Sequence, residues 1–188
     1  SYMIANHDRT VVIDPTIDIN IYVKEAETRG LKIICVLDTH VHADHVSGGR
    51  VLANNINVPY YTSFEVEKSN MHIFDGWHTK IGNIILKVLA APGHTPGSLI
   101  YVFGDFALTG DTLFTEGVGR PDLGEDISSN AKNLYLTLMN IIWQLPDAMM
   151  ILPGHTNQQM EYGKAIMSKA LELKKSQSVF KMTQDEFI

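Results

Sequence analysis

The stretch Leu31-Lys-Ile-Ile-Cys-Val-Leu-Asp-Thr-His-Val-His-Ala-Asp-His-Val-Ser-Gly-Gly49 decides how the rest of the chain is read. Residues 33–37 form an apolar run rich in β-branched side chains and too short for most helices, which predicts a buried strand. Directly after it, His40, His42, Asp44 and His45 crowd into six residues. Imidazole and carboxylate are the usual ligands of divalent transition metals. Crowding them without a metal carries desolvation and charge costs that nothing offsets. Ser47-Gly48-Gly49 suits a tight turn into a helix. The stretch therefore reads as a strand delivering ligands to its carboxyl end, where open sheets place their sites.

On the amino-terminal side, residues 2–5 and 10–13 predict a hairpin across Asn6-His7-Asp8-Arg9. Asp18 is positioned to cap a helix ending at Gly30, with Ile19, Tyr22, Val23 and Ala26 on its apolar face. On the other side the pattern predicts a helix over 49–55, a short strand at Pro59-Tyr60-Tyr61 and a helical turn over 63–68. His72 and His78 flank Asp75-Gly76 without partners at ligand spacing and read as ordinary histidines. Residues 84–90 form a clear strand, and 98–103 with 106–108 a hairpin. A Gly- and Asp-rich loop over 114–126 has Arg120 in its middle, and loops of that length are often functional. Ser128 or Ser129 caps a helix with Leu134, Leu138, Ile141 and Leu145 on one face, followed by a strand over 148–152 and a last helix over 158–175. Three more candidate ligands, His94, Asp111 and His155, each follow one of these strands.

With 188 residues, 45% of them hydrophobic and 19% charged, the chain has the composition of one globular domain spanning 1–188. A formal charge of −6 argues against nucleic acid and anionic membrane as partners. The single cysteine, Cys35, lies in the buried run and reads as a small core hydrophobe; a reducing, cytoplasmic setting is expected. No apolar run is long enough to cross a membrane.

Thr39-His-Val-His-Ala-Asp-His45 is similar to the signature of the metallo-β-lactamase fold superfamily. Ala91-Pro-Gly-His-Thr-Pro-Gly-Ser98, Leu108-Thr-Gly-Asp-Thr-Leu-Phe114 and Leu152-Pro-Gly-His-Thr156 match it in order, so the resemblance spans nearly the whole chain. It implies an α+β fold, an αββα sandwich with two sheets between helices. It also implies a metal site drawn from His40, His42, Asp44, His45, His94, Asp111 and His155, with Asp44 and Asp111 as its catalytic carboxylates.

Two chemistries follow from the resemblance. In the persulfide dioxygenase-like branch, the matching His40, His94 and Asp111 hold one Fe(II), and the sulfur of a low-molecular-weight thiol persulfide is oxidised to sulfite. In a glyoxalase II-like thioester hydrolase, His40, His42 and His94 hold one Zn(II), Asp44, His45 and His155 a second, and Asp111 bridges them. A third reading is a non-catalytic metal-binding component of a sulfur-handling assembly. The run Gly119-Arg120-Pro121-Asp122-Leu123 resembles the dioxygenase branch and favours that reading. Arg120 is expected to meet a substrate carboxylate or sulfur anion, with a salt bridge to Asp122 or Asp126 as the alternative. Past His155 only one helix and a short polar end are expected: either the natural chain is longer than this sequence, or the protein works alone on a small thiol.

Overall fold

The computed structural model describes residues 1–65, 71–124 and 126–188. β1 (Tyr2–Asn6) and β2 (Arg9–Ile13) make the expected antiparallel hairpin. β3 (Lys32–Leu37) runs parallel to β2, and β4 (Tyr60–Tyr61) parallel to β3, giving a four-stranded sheet in the order β1-β2-β3-β4. Parallel neighbours need a crossover. α1 (Asn20–Thr28) and α2 (Gly49–Ile56) supply the two crossovers.

The second sheet contains β5 (His78–Ile81), β6 (Ile84–Ala90), β7 (Leu99–Phe103), β8 (Phe106–Gly110), β9 (Met150–Pro153) and β10 (Ser168–Lys169). Its order is β10-β9-β8-β7-β6-β5. β6 is antiparallel to β7, β7 antiparallel to β8, and β8 parallel to β9. β6, β8 and β9 therefore point the same way, and their carboxyl ends emerge on one edge of the molecule.

Side chains alternate between the faces of a strand, and both faces of each sheet are covered. Val11, Ile13, Cys35 and Leu37 meet Leu86, Val88, Tyr101, Leu108 and Leu152 in a core between the sheets. Val12, Ile33 and Val36 point the other way, onto Tyr22 and Ala26 of α1 and Leu52 and Ala53 of α2. Ile100, Ala107 and Ile151 face Leu134 of α3 (Ile127–Thr137) and Leu173 of α4 (Ala170–Ser176). The layers run helix, sheet, sheet, helix, the α+β arrangement expected. Cys35 is the core hydrophobe it was read as, and burial pushes its thiol up to about 12.

Several local expectations are corrected. The last helix does not cover 158–175. Residues 158–167 are irregular, Gly163 takes φ 78°, and Ser168–Lys169 pairs with β9, so the helix begins only at Ala170. The open edge of β9 offers ladder hydrogen bonds that periodicity does not reveal. In α3 a π-helical turn over Leu138–Ile142 carries a Trp143 N–H to Leu138 C=O hydrogen bond of 2.8 Å, and its extra residue buries Ile142 where Ile141 was expected. The α3 cap is Asp126, whose side chain accepts from the Ser129 N–H at 3.1 Å, not Ser128 or Ser129. The N-cap of α1 is Ile19, not Asp18, and it makes no side-chain cap hydrogen bond. β5 was not anticipated, because His-Thr-Lys-Ile buries only Ile81. His78 opens that strand, exposed, while His72 bridges Thr62. Of the turn expected over 63–68, Phe64 and Glu65 form a turn and 66–68 lie outside the described residues.

Candidate metal centre

Four strand ends deliver the candidate ligands. His40, His42, Asp44 and His45 follow β3, His94 follows β6, Asp111 follows β8 and His155 follows β9. The loops are pressed together: a Cβ on Gly119 would run into the Asp111 carbonyl and the His94 ring, and one on Gly154 into the Asp111 carboxylate. Only glycine lets these backbones approach so closely.

The interior half of the cluster has its protons placed by neighbours. Asp14, at φ 51° just past β2, accepts from the Thr39 N–H at 2.6 Å and the Thr39 hydroxyl at 2.8 Å. With that hydroxyl proton on Asp14, Thr39 Oγ1 accepts from His40 Nδ1, 2.8 Å away. His40 Nε2 is left as a bare lone pair, buried and without a hydrogen bond among the described residues. His42 Nε2 donates to Asp14 Oδ1 at 3.1 Å, leaving His42 Nδ1 bare and buried. His94 Nδ1 lies 2.9 Å from the Arg120 carbonyl. A carbonyl only accepts, so that nitrogen carries the proton and His94 Nε2 is bare. Burial, and then His42 beside it, push His40 down to about 4, so it stays neutral near pH 7. Although burial opposes ionisation of Asp14, the hydrogen bond from His42 holds its carboxyl below the usual range.

His40 Nε2 is 3.9 Å and His94 Nε2 3.6 Å from Asp111 Oδ2. The ligating atoms of His40, His94 and Asp111 all lie within 4.8 Å of one another. Two ligands each about 2.1 Å from one ion are separated by about 3–4 Å, so a small contraction closes the set around a metal.

The outer half is arranged differently. His155 Nδ1 is 2.7 Å from Asp111 Oδ1 and His155 Nε2 is 2.9 Å from Asp44 Oδ2. His45 Nδ1 also reaches Asp44 Oδ2, at 3.2 Å. Two carboxylates on one ring favour its doubly protonated form. Against a desolvation that opposes it, Asp111 and then Asp44 raise the His155 pKa. Against its own desolvation, Asp44 is held well below the usual carboxylate range by His155 and His45. Here His155, Asp44 and Asp111 satisfy one another, and the far nitrogen of His45 does not share in it.

The donor set fits a divalent transition metal. Three buried imidazole nitrogens, on His40, His42 and His45, have no hydrogen-bond partner among the described residues. Burying them so would be costly unless a cation takes the lone pairs. A second trio, His42, Asp44 and His45, also has ligating atoms within 4.8 Å of each other. All seven sequence-derived candidates thus come together on one edge.

Arg120 reaches the rim, but its guanidinium makes two hydrogen bonds to Asp122, the salt bridge held as the alternative, and its carbonyl is what touches the cluster. Sequence reasoning missed Asp14 and Thr39. A signal for Asp14 existed: like Asp111, it is an aspartate at the carboxyl end of an apolar run, Val11-Val12-Ile13.

The chain is similar to known proteins over most of its length. The family model described as the metallo-beta-lactamase superfamily matches residues 1–71 and 73–155. The chain is 31% identical over 162 residues to the mitochondrial persulfide dioxygenase ETHE1 of Mus musculus, covering 82% of this chain and 63% of that protein. It is 32% identical to the hydroxyacylglutathione hydrolase of Dictyostelium discoideum, over 74% of this chain and 54% of that protein. The chain thus spans between half and two thirds of the length of these curated relatives. The crystal structure of ETHE1 from Myxococcus xanthus superimposes with a TM-score of 0.88 at 30% identity, covering 100% of this chain and 82% of that one.

Proposed function

The chain belongs to the metallo-β-lactamase superfamily, and from that premise we propose that it is a persulfide dioxygenase-type enzyme holding one Fe(II) through His40, His94 and Asp111. The reaction takes a thiol persulfide, dioxygen and water to the thiol and sulfite with release of two protons. The observation that carries this reading is the asymmetry of the cluster. His40 and His94 are buried, hydrogen-bonded from behind and bare in front, whereas His155 and Asp44 are committed to each other. The likeness to persulfide dioxygenases supports it.

When bound, the metal supplies a redox-active Lewis acid with positions open to O₂ and to sulfur, as two-histidine, one-carboxylate faces do. The chain's own residues do the rest. Asp14 and Thr39 hold His40 in the tautomer that presents Nε2, and the Arg120 carbonyl does the same for His94. Such outer hydrogen bonds orient ligands and raise their basicity. His155 lies between Asp111 and Asp44, which raise its pKa and favour a positive ring beside which a sulfur anion is oriented. Phe114 stands edge-on to His155 at 6.0 Å and shields one side from water. The Arg120 guanidinium reaches a substrate anion only if Asp122 releases it. A reducing, cytoplasmic setting is part of this reading and rests on the lone buried cysteine.

The second reading is a glyoxalase II-like thioester hydrolase with two Zn(II). It is favoured by the bare nitrogens of His42 and His45 and by the position of Asp111 between the two halves. Elemental analysis of protein purified without added metal tests the choice: about one iron with oxygen uptake on glutathione persulfide supports the dioxygenase. About two zincs with cleavage of lactoylglutathione supports the hydrolase. Bound metal with neither activity leaves a metal-binding component.

A further inference from the structure

We infer that Glu116 is a specificity-determining residue that makes the mouth of the site select persulfides on neutral or cationic carriers over anionic ones. This rests on the dioxygenase reading for the reaction but not for the carrier preference.

The side chain of His155 is 46% exposed, so the cluster opens to solvent on that side. Glu116 borders this opening. Its Oε1 accepts from Gln158 Nε2 at 2.9 Å and from the Thr156 hydroxyl at 3.3 Å, the residues one and three places beyond His155. Two residues before it, Phe114 stands against His155. The carboxylate is therefore tied to the edge of the opening while remaining exposed.

The loop carrying it is acidic throughout. Residues 114–126 contain Glu116, Asp122, Glu125 and Asp126 against one cation, Arg120. Asp122 takes up that cation with two hydrogen bonds. Among the described residues, the ligand loop and the segment beyond His155 expose apolar groups. Val41 and Val46 on the ligand loop, and Met160 and Tyr162 beyond His155, are exposed, and Lys164 of the same segment is paired with Glu161. A metal in the interior half attracts the sulfur anion of any persulfide equally. What differs between substrates is the carrier, and the carrier must lie along this acidic and apolar mouth. One exposed charge a few ångströms from the carrier is worth about two- to fivefold, and salt screens it.

The test is binding of two non-reacting thioethers, S-methylcysteamine (a cation) and S-methylglutathione (a net anion), to metal-loaded protein by calorimetry at low and high ionic strength. We expect S-methylcysteamine to bind about two- to fivefold tighter at low salt, with the preference shrinking at high salt. E116Q keeps an oxygen for Gln158 and Thr156 and should bring the two ligands to parity. E116K should invert the order; if it does not fold, E116Q decides alone. Tighter binding of S-methylglutathione, or a ratio that E116Q leaves unchanged, overturns the inference. Oxygen uptake with the matching persulfides separates the two claims. No uptake from either persulfide, with the binding preference intact, removes the dioxygenase reading and leaves the role of Glu116 standing.

Discussion

His40 and His155 are both histidines at the end of a strand, and they meet opposite fates. His40 is 3% exposed, is held at Nδ1 by Thr39, and presents an unpartnered Nε2 to the cluster. His155 is half in solvent, with both ring nitrogens on carboxylates. A metal arriving at the interior half displaces no hydrogen bond from His40 or His94. At the outer half it must break the pairing of His155 with Asp44 and displace a proton. Equal ligand counts therefore do not give equal affinity. Burial, with a partner behind each ring, makes one half of the cluster ready for a metal, and exposure lets His155 and Asp44 of the other half satisfy each other.

The strongest way to break this contrast is His94→Ala. It removes a ligand from the prepared half and should abolish metal binding there and reduce activity to background, read by elemental analysis after dialysis. A variant that keeps its metal would remove the assignment of His94.

Asp14→Asn asks whether the preparation itself matters. Asparagine tolerates the positive φ at this position, so the change isolates the carboxylate that orients Thr39 and His42. Metal affinity should fall by about 10–100-fold, measured by chelator competition, with far-ultraviolet circular dichroism unchanged. Unaltered affinity would mean that burial alone suffices.

His155→Ala probes the self-satisfied half. On the one-iron reading the metal stays bound and oxygen uptake drops about 10–100-fold, the usual cost of losing an outer hydrogen-bonding group. Loss of a metal equivalent together with thioester hydrolysis would instead make His155 a ligand.

Acid should separate the halves in protein loaded with two Zn(II) ions. A histidine must be unprotonated to bind metal. His40 is pushed down to about 4 by burial, so protons do not compete for it between pH 7 and 5. The His155 pKa is raised by its two carboxylates, so protons compete there from near neutrality downward. Equilibrium dialysis across this range should show the metal that depends on His155 leaving before the one that depends on His40. Simultaneous release would erase the distinction.

The smallest effect is expected from Arg120→Ala. The carbonyl that holds His94 remains, and the lost guanidinium pair with Asp122 is solvent-exposed. Melting temperature should hardly move, and kcat/KM should change about two- to fivefold. A large fall in kcat/KM at constant melting temperature would place the guanidinium on the substrate.

Much of this was legible in the chain. Ligand chemistry belongs to residue type, and HxHxDH after a β-branched run announces both a strand and a metal loop. His94, Asp111 and His155 could be placed because each follows an apolar run, and their convergence follows from β6, β8 and β9 sharing a direction. Elements whose cause is local periodicity were read well. Those set by distant partners were not: β10 exists because the edge of β9 is free to pair with it, and the π-helical turn in α3 moves Ile142 into a core shared with the second sheet.

The sequence by itself determined the inventory of the site, seven possible ligands and the order of strands that present them, because spacing and side-chain chemistry are written along the chain. Which nitrogen of each ring is bare, and which half is dry, was decided by tertiary structure alone. Those properties depend on hydrogen bonds between residues far apart in sequence, Asp14 with Thr39 across 25 positions, His94 with Arg120 across 26, and Asp44 with His155 across 111. Proton placement and burial belong to the packed neighbourhood of a group, and that neighbourhood exists only once the two sheets have closed on each other.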